Sequence, residues 1–127
     1  MINLYRMKVK RIVANIASPE IEKASLFYVE LLGMKVLMNQ GWIATYGSEE
    51  DMSVQISFAS EGGSGTPVPD LSIEVDDVDT AYKLMQEHGF KIEYELTNEP
   101  WGVRRFYVRD PFGKLVNILA HISTINH

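Results

Sequence analysis

Cysteine is absent from the 127 residues, and histidine is nearly so, at His88, His121 and His127. The first absence excludes disulfides, thiol nucleophiles and thiolate metal sites. The second leaves few imidazoles for a metal centre or a Ser-His-Asp set, and no such set or paired-carboxylate pattern can be assembled. Positive charge is also short. Twelve Lys and Arg against 17 Asp and Glu give a formal net charge of −5, which argues against nucleic acid or an anionic membrane as a partner. No run approaches the roughly 20 apolar residues of a membrane span. Residues 1–11 have no sustained apolar stretch ahead of their charges, as a signal peptide would. A cytoplasmic protein is therefore expected. The remaining composition, 46% apolar and 23% charged, is that of one globular domain long enough to bury a core.

After a leader over 1–8, residues 9–17 alternate, with Ile12, Ala14 and Ile16 on one side and Val13, Asn15 and Ala17 on the other. This is a strand pattern. Ser18-Pro19 reads as an N-cap with Pro at the first helical position. Ile21, Ala24, Tyr28, Leu31 and Leu32 then recur at helical spacing, and Gly33 closes the helix. Strands are expected over 34–38, 42–46 and 53–58, separated by turns at 39–41 and 47–51. The segment 61–69 (EGGSGTPVP) is a Gly- and Pro-rich linker. The order then repeats. A strand over 70–75 precedes a helix capped by Asp76 or Asp77, with Val78, Ala81, Leu84, Met85 and His88 as its stripe and Gly89 at its end. Strands follow over 91–96, 104–109 and 115–120. Between the last two, Asp110-Pro111-Phe112-Gly113 has the residues a type I turn favours.

The halves align weakly residue by residue. Ile21, Ala24 and Phe27 match Val78, Ala81 and Leu84 at one constant offset. Val54-Gln55-Ile56 matches Val116-Asn117-Ile118 at a slightly longer one. Order, caps and spacing together indicate a duplicated strand-helix-three-strand unit. The expected fold is α+β: two βαβββ modules, 9–60 and 70–121, joined by the 61–69 linker within one domain.

FYVELLGM (27–34) and WGVRRFYVRDPFGKLVNI (101–118), in this order and spacing, resemble the vicinal oxygen chelate superfamily of glyoxalase I, bleomycin-resistance proteins and extradiol dioxygenases. The resemblance covers about 9–121. It implies that each module is a curled sheet, that two modules enclose a cavity, and that family enzymes hold a divalent metal there with one side chain from the first and last strand of each module. Counting from the shared landmarks places those positions at Val13, Gln55, Asp70 and Asn117. Val13 pairs with Asp70 at the offset of the helices, and Gln55 with Asn117 at that of the last strands. The family's His and Glu ligands are not kept. Val13 cannot ligate, two carboxamides are weak neutral ligands, and only Asp70 carries charge. No metal and no cofactor is expected.

The cavity expected from these positions is lined by Val13, Asn15, Gln55, Ser57, Asp70 and Asn117. Trp42 and Trp101 are candidates to stack on a planar or cationic ligand. Arg104 and Arg105 are adjacent on a strand and must face opposite ways. Arg104, which matches the family's arginine, is assigned either to the cavity or to a structural ion pair. Asp70 and His121 are the candidate catalytic groups, His121 by sharing a face with Asn117. Glu49-Glu50-Asp51 reads as a solvated turn. Three functions follow: a metal-free small-molecule-binding protein similar to the bleomycin-resistance branch; a lyase or isomerase using Asp70, with or without an unusual metal site; and a structural or regulatory dimer with a vestigial cavity. A homodimer is expected because curled sheets of short modules leave edges that need covering.

Overall fold

The computed structural model describes residues 7–48 and 55–122. The leader up to residue 6, Glu49-Glu50-Asp51, the first two residues of the 53–58 strand, Val54 of the repeat and His127 lie outside the described residues. The elements, in chain order, are β1 (Val9–Ala17), β2 (Lys35–Asn39), β3 (Ile43–Gly47), β4 (Gln55–Ala59), β5 (Leu71–Val75), α1 (Val78–Glu87), β6 (Ile92–Asn98), β7 (Val103–Arg109) and β8 (Leu115–His121). The fold is α+β, and no helix of the described residues is long and apolar enough to cross a membrane. The chain divides into two compact units. One spans 13–70; the other joins 71 onward to the start of the chain up to Ile12, so the cut falls within β1.

In the 13–70 unit, β2 pairs with β3 and β3 with β4, both antiparallel, while β4 runs parallel to the end of β1 with Ala14 opposite Ile56. Alternation along these strands separates two faces. Ala44, Tyr46, Ile56 and Phe58 pack with Ile21, Tyr28 and Val29. Val13, Asn15, Thr45, Gln55 and Ser57 occupy the other face. The helix expected after Ser18-Pro19 is not a regular α-helix. A 3-10 turn (Ile21–Lys23) leads into a π-helical segment (Leu26–Leu31), and neither has a side-chain cap. Leu32 N–H donates to the Phe27 carbonyl, five residues back. That wider winding departs from the 3.6-residue period on which the expected stripe rested. Leu31 and Leu32 consequently stand 70% and 60% exposed, not buried. Gly33 (φ 77°) ends the segment as expected, with Met34 N–H bonding the Tyr28 carbonyl.

The second unit follows its sequence pattern more closely. Asp77 is the N-cap of α1, accepting from Thr80 N–H at 3.1 Å and from the Thr80 hydroxyl at 2.8 Å. Val78 and Ala81 are buried against Phe106, Val108, Val116 and Ile118, with Tyr82 and Met85 packed beside them. His88, the last residue of the expected stripe, is exposed. The strands run β5-β8-β7-β6. β5 is parallel to β8 and the other two pairs are antiparallel. The start of β1 belongs to this unit, where Lys8 and the backbone and side chain of Asp76 exchange hydrogen bonds.

The turn between β7 and β8 is held from its first residue. The Asp110 carboxylate accepts from Phe112 N–H (2.8 Å) and Lys114 N–H (2.9 Å), and its carbonyl accepts from Gly113 N–H (3.0 Å). Gly113 has φ 79°, and a Cβ there would meet nothing within 4 Å. The obstacle to substitution is therefore backbone conformation alone, worth about 1–3 kcal/mol for a β-branched residue. Gly113→Val is expected to lower the melting temperature while Lys114→Ala, at an exposed neighbour, leaves it nearly unchanged. Equal melting curves for the two variants would contradict the turn.

Candidate functional site

The second unit has a polar sheet face. Ile73, Val75, Phe106, Val108, Val116, Ile118 and Ala120 form the core with α1. The alternate positions, Ser72, Glu74, Arg105, Tyr107, Asn117 and His121, therefore share the opposite face. The strand register confirms the grouping: Ser72 lies opposite Asn117, Tyr107 opposite Asn117, and Arg105 opposite Leu119.

Arg105 is the most enclosed charge on this face. Its side chain is 4% exposed and that of its partner Glu99 is 2% exposed. Arg105 Nε donates to Glu99 Oε2 at 2.7 Å and Nη1 to the Tyr107 hydroxyl at 3.1 Å, and the Tyr94 hydroxyl donates to the same Glu99 oxygen at 2.8 Å. Three rings surround the guanidinium: Trp101 and Tyr107 at 5.0 Å and Tyr94 at 5.3 Å. A register shift between Ile92 and Tyr94 brings Tyr94 opposite Tyr107 instead of into the core. Charge, donors and rings are mutually satisfied, so this cluster is a structural brace.

Glu74 is the second buried acid. Its carboxylate accepts from Arg11 Nε at 2.7 Å, lies 2.9 Å from His121 Nδ1, and has Lys10 Nζ at 3.9 Å. Burial pushes the carboxyl up, but the hydrogen bonds and charges of His121 and Arg11 outweigh it and hold Glu74 below its ordinary value of 4.5. Nearby, Asn117 Nδ2 donates to the Ser72 hydroxyl at 3.1 Å, whereas Asn117 Oδ1 is buried with no hydrogen-bond partner among the described residues. An acceptor left so costs about 1–3 kcal/mol.

Of the residues singled out from sequence, Val13, Asn15, Gln55 and Ser57 come together on one face of the 13–70 unit. There Asn15 lies opposite Ser57, whose hydroxyl is 2.7 Å from that of Thr45. Asp70 is exposed just ahead of β5, and its carbonyl accepts from Asn15 N–H at 3.1 Å. Trp42 is half-buried ahead of β3, and Trp101 stacks on Arg105. Arg104 takes the ion-pair alternative. It is bonded to Asp79 of α1 at 2.9 Å and to Asn98 at 2.8 Å, on the helix side of the sheet and away from Asn117. His121 is on the Asn117 face, as alternation requires. Glu74, Arg11, Glu99, Tyr94 and Tyr107 were not singled out. For Glu74 the signal was present, an acid inside the otherwise uncharged strand Leu-Ser-Ile-Glu-Val. For Arg105 and Glu99 no spacing rule connects the two.

The register also corrects the repeat alignment of the first strands. Because Gln55 matches Asn117, Ile56 matches Ile118. The partner of Ile56 is Ala14 and that of Ile118 is Ile73. Ala14 therefore corresponds to Ile73, whereas the offset of the helices would set it against Leu71. By the same step Val13 corresponds to Ser72, and Asp70 to Arg11. By either count the donor set is unsuited to a divalent metal: Arg11 is a cation, Val13 has no donor, and Gln55 and Asn117 are neutral amides. Among the described residues no three His, Cys, Asp or Glu are grouped so that they could hold a metal ion.

A family model described as Glyoxalase/Bleomycin resistance protein/Dioxygenase superfamily matches residues 8–118. Similar solved structures include a NAD-dependent benzaldehyde dehydrogenase from Legionella pneumophila, with 16% identity, TM-score 0.68, and 87% of this chain and 98% of that one covered. A glyoxalase/bleomycin resistance protein/dioxygenase superfamily member from Vibrio splendidus 12B01 has 17% identity and TM-score 0.61 over 91% and 100%. Methylmalonyl-CoA epimerase from Mycobacterium tuberculosis has 16% identity and TM-score 0.64 over 91% and 88%. At these identities the likeness is one of fold. No curated protein matches the chain.

The depressed Glu74 carboxyl has a consequence for stability. Its contribution is present above the unfolded value near 4.5 and is lost as pH falls through the lower folded value. Glu74→Gln is accordingly expected to be less stable than the parent at pH 7, with the gap closing as pH falls below the unfolded value of 4.5. Denaturant titrations at stepped pH give the comparison. A gap unchanged at acid pH would show that the Glu74 charge contributes nothing.

Proposed function

The chain belongs to the glyoxalase/bleomycin resistance protein/dioxygenase superfamily, and from that premise we propose that it binds a small planar or cationic molecule without a metal. The observation that carries the proposal is the buried, unpartnered Asn117 Oδ1 on the polar face of the second unit. An amide oxygen can only accept, so the fitting ligand presents an N–H or O–H donor. The net charge of −5 favours a cation over an anion. A donor set with at most one carboxylate beside two neutral amides supports the metal-free form of the reading. A thermal-shift series with planar amino-substituted aromatic cations such as proflavine tests it, because a ligand at 100 times its Kd adds about 2.7 kcal/mol to the native state. Asn117→Val should abolish that shift while changing the ligand-free melting temperature little, since it removes both an unsatisfied acceptor and the Nδ2 bond to Ser72. Loss of intrinsic stability together with an undiminished ligand shift would assign Asn117 to the fold instead.

We further infer a homodimer formed through the first unit. Among the described residues, most of the exposed large apolar side chains of this unit, Leu26, Phe27, Leu31, Leu32, Val36 and Met38, fall in one stretch. Glu30 and Lys35 are its only charges and cancel. A second copy can therefore meet this patch without the repulsion that two chains of net charge −5 would otherwise bring. An open groove of about 410 Å³, lined by Ile16, Ile21, Phe27, Tyr28 and Phe58 among others, adjoins it. Light scattering at micromolar concentration should give twice the 14.4 kDa chain mass, and Leu31→Glu with Leu32→Glu should halve it. A monomeric parent would sink the inference.

A further inference from the structure

The geometry points to a guanidinium receptor built into the second unit, which the chain fills with its own Arg105. Its walls come from three places: Tyr94 on β6, the turn that carries Glu99 and Trp101, and Tyr107 on β7. Each is positioned by backbone bonds that do not involve the Arg105 side chain. Tyr94 lies opposite Tyr107 in the strand register, with ring centroids 5.3 Å apart. In the turn, Glu99 N–H donates to the Val103 carbonyl at 2.7 Å and Gly102 N–H to the Glu99 carbonyl at 3.2 Å. Ile122 N–H, from beyond β8, holds the Gly102 carbonyl at 3.0 Å. These bonds fix the chain on both sides of Trp101. With the Arg105 side chain taken away, three rings and one carboxylate would still surround the space it fills.

The chemistry of that space selects one class of occupant. The Glu99 side chain is 2% exposed, and its Oε2 accepts from Arg105 Nε at 2.7 Å and from the Tyr94 hydroxyl at 2.8 Å. A carboxylate so enclosed requires a cation, because a neutral occupant leaves a buried charge unbalanced. The rings of Tyr94, Trp101 and Tyr107 lie 5.0 to 5.3 Å from the central guanidinium carbon, a spacing suited to a flat, delocalised cation. The Tyr107 hydroxyl, 3.1 Å from Nη1, takes a second donor from another arm of the same fork. A guanidinium meets all three conditions. An ammonium has the charge without the plane, and a urea has the plane without the charge. The site is separate from the Asn117 oxygen, and neither inference rests on the other.

The test vacates the site in the full chain with Arg105→Ala and supplies N-ethylguanidinium, which carries the atoms that the substitution removes beyond Cβ. The variant alone should melt well below the parent, since Glu99 is left buried without its counter-charge. Millimolar N-ethylguanidinium should raise its melting temperature by about 5 °C. The parent, whose site is full, should show no rise. N-ethylurea, neutral and of the same shape, and ethylammonium should each restore much less. Adding Glu99→Gln to Arg105→Ala should abolish the rise, because the carboxylate that the cation answers is then gone. If Arg105→Ala is unfolded without ligand, recovery of the folded circular dichroism spectrum on adding N-ethylguanidinium is the same measurement. No rise or recovery in Arg105→Ala, an equal rise in the parent, an equal effect of N-ethylurea, or an undiminished rise in the double variant would each overturn the assignment.

Discussion

The parallel pairing of β5 with β8 is the constraint on which the second unit depends. Its register runs from Leu71 opposite Val116 to Glu74 opposite Leu119. It sends Val116, Ile118 and Ala120 toward α1 and Asn117, Leu119 and His121 the other way. A slip of one residue would exchange these sets, exposing three apolar side chains to the polar face and driving an amide and an imidazole into the packing around Ala81 and Phe106. At about 1.5–3 kcal/mol for each large apolar side chain removed from burial, with polar burial added, such a slip is excluded. The hydrogen bonds of Asp110 set the same register from the neighbouring strand. The polar face is thus placed by the apolar one.

The two units share an element order but differ in how the helical segment meets its sheet. In the second, Asp77 caps α1 and the 3.6-residue period holds from Val78 to Met85, so one stripe faces one core. In the first there is no side-chain cap, and the anchoring contacts are aromatic. Tyr28 lies 4.9 Å from Phe58 and 6.4 Å from Tyr46, centroid to centroid. With its wider turns, the segment seats Tyr28 while leaving Leu31 and Leu32 outside. The same apolar residues that would complete a core in a regular helix become surface.

Strand positions were legible because alternation and turn chemistry are local. β1 coincides with its expected span, and the rest agree closely wherever described. The Asp77 cap and the positive φ of Gly33, Gly89 and Gly113 follow from the same local rules. The π winding was not legible, since its apolar residues also fit a regular helical period. Nor was the correction that pairs Asp70 with Arg11, because a weak repeat tolerates a slip that backbone hydrogen bonds do not. The polar clusters escaped for another reason. Glu74 with Arg11 and Arg105 with Glu99 are pairs made by strand neighbours and by a turn, and sequence distance carries no trace of them. Arg104 and Arg105 could be told apart only as opposites; which one faced α1 depended on the partner Asp79.

Comparing the polar clusters shows where an outside molecule would change the energy most. Around Arg105, every charge has a counter-charge and the guanidinium is enclosed by three rings, so a ligand there would have to displace partners already held. Around Glu74, the carboxylate is matched but the imidazole that completes it stands open. At Asn117 the balance is unfavourable within the chain itself, because a buried carbonyl oxygen has lost water and gained nothing. A domain with about 5–15 kcal/mol of net stability gains none of it from that oxygen, and the amide supports the fold only through Nδ2, which bonds the Ser72 hydroxyl. A donor within reach of the oxygen would offset desolvation that folding has already spent.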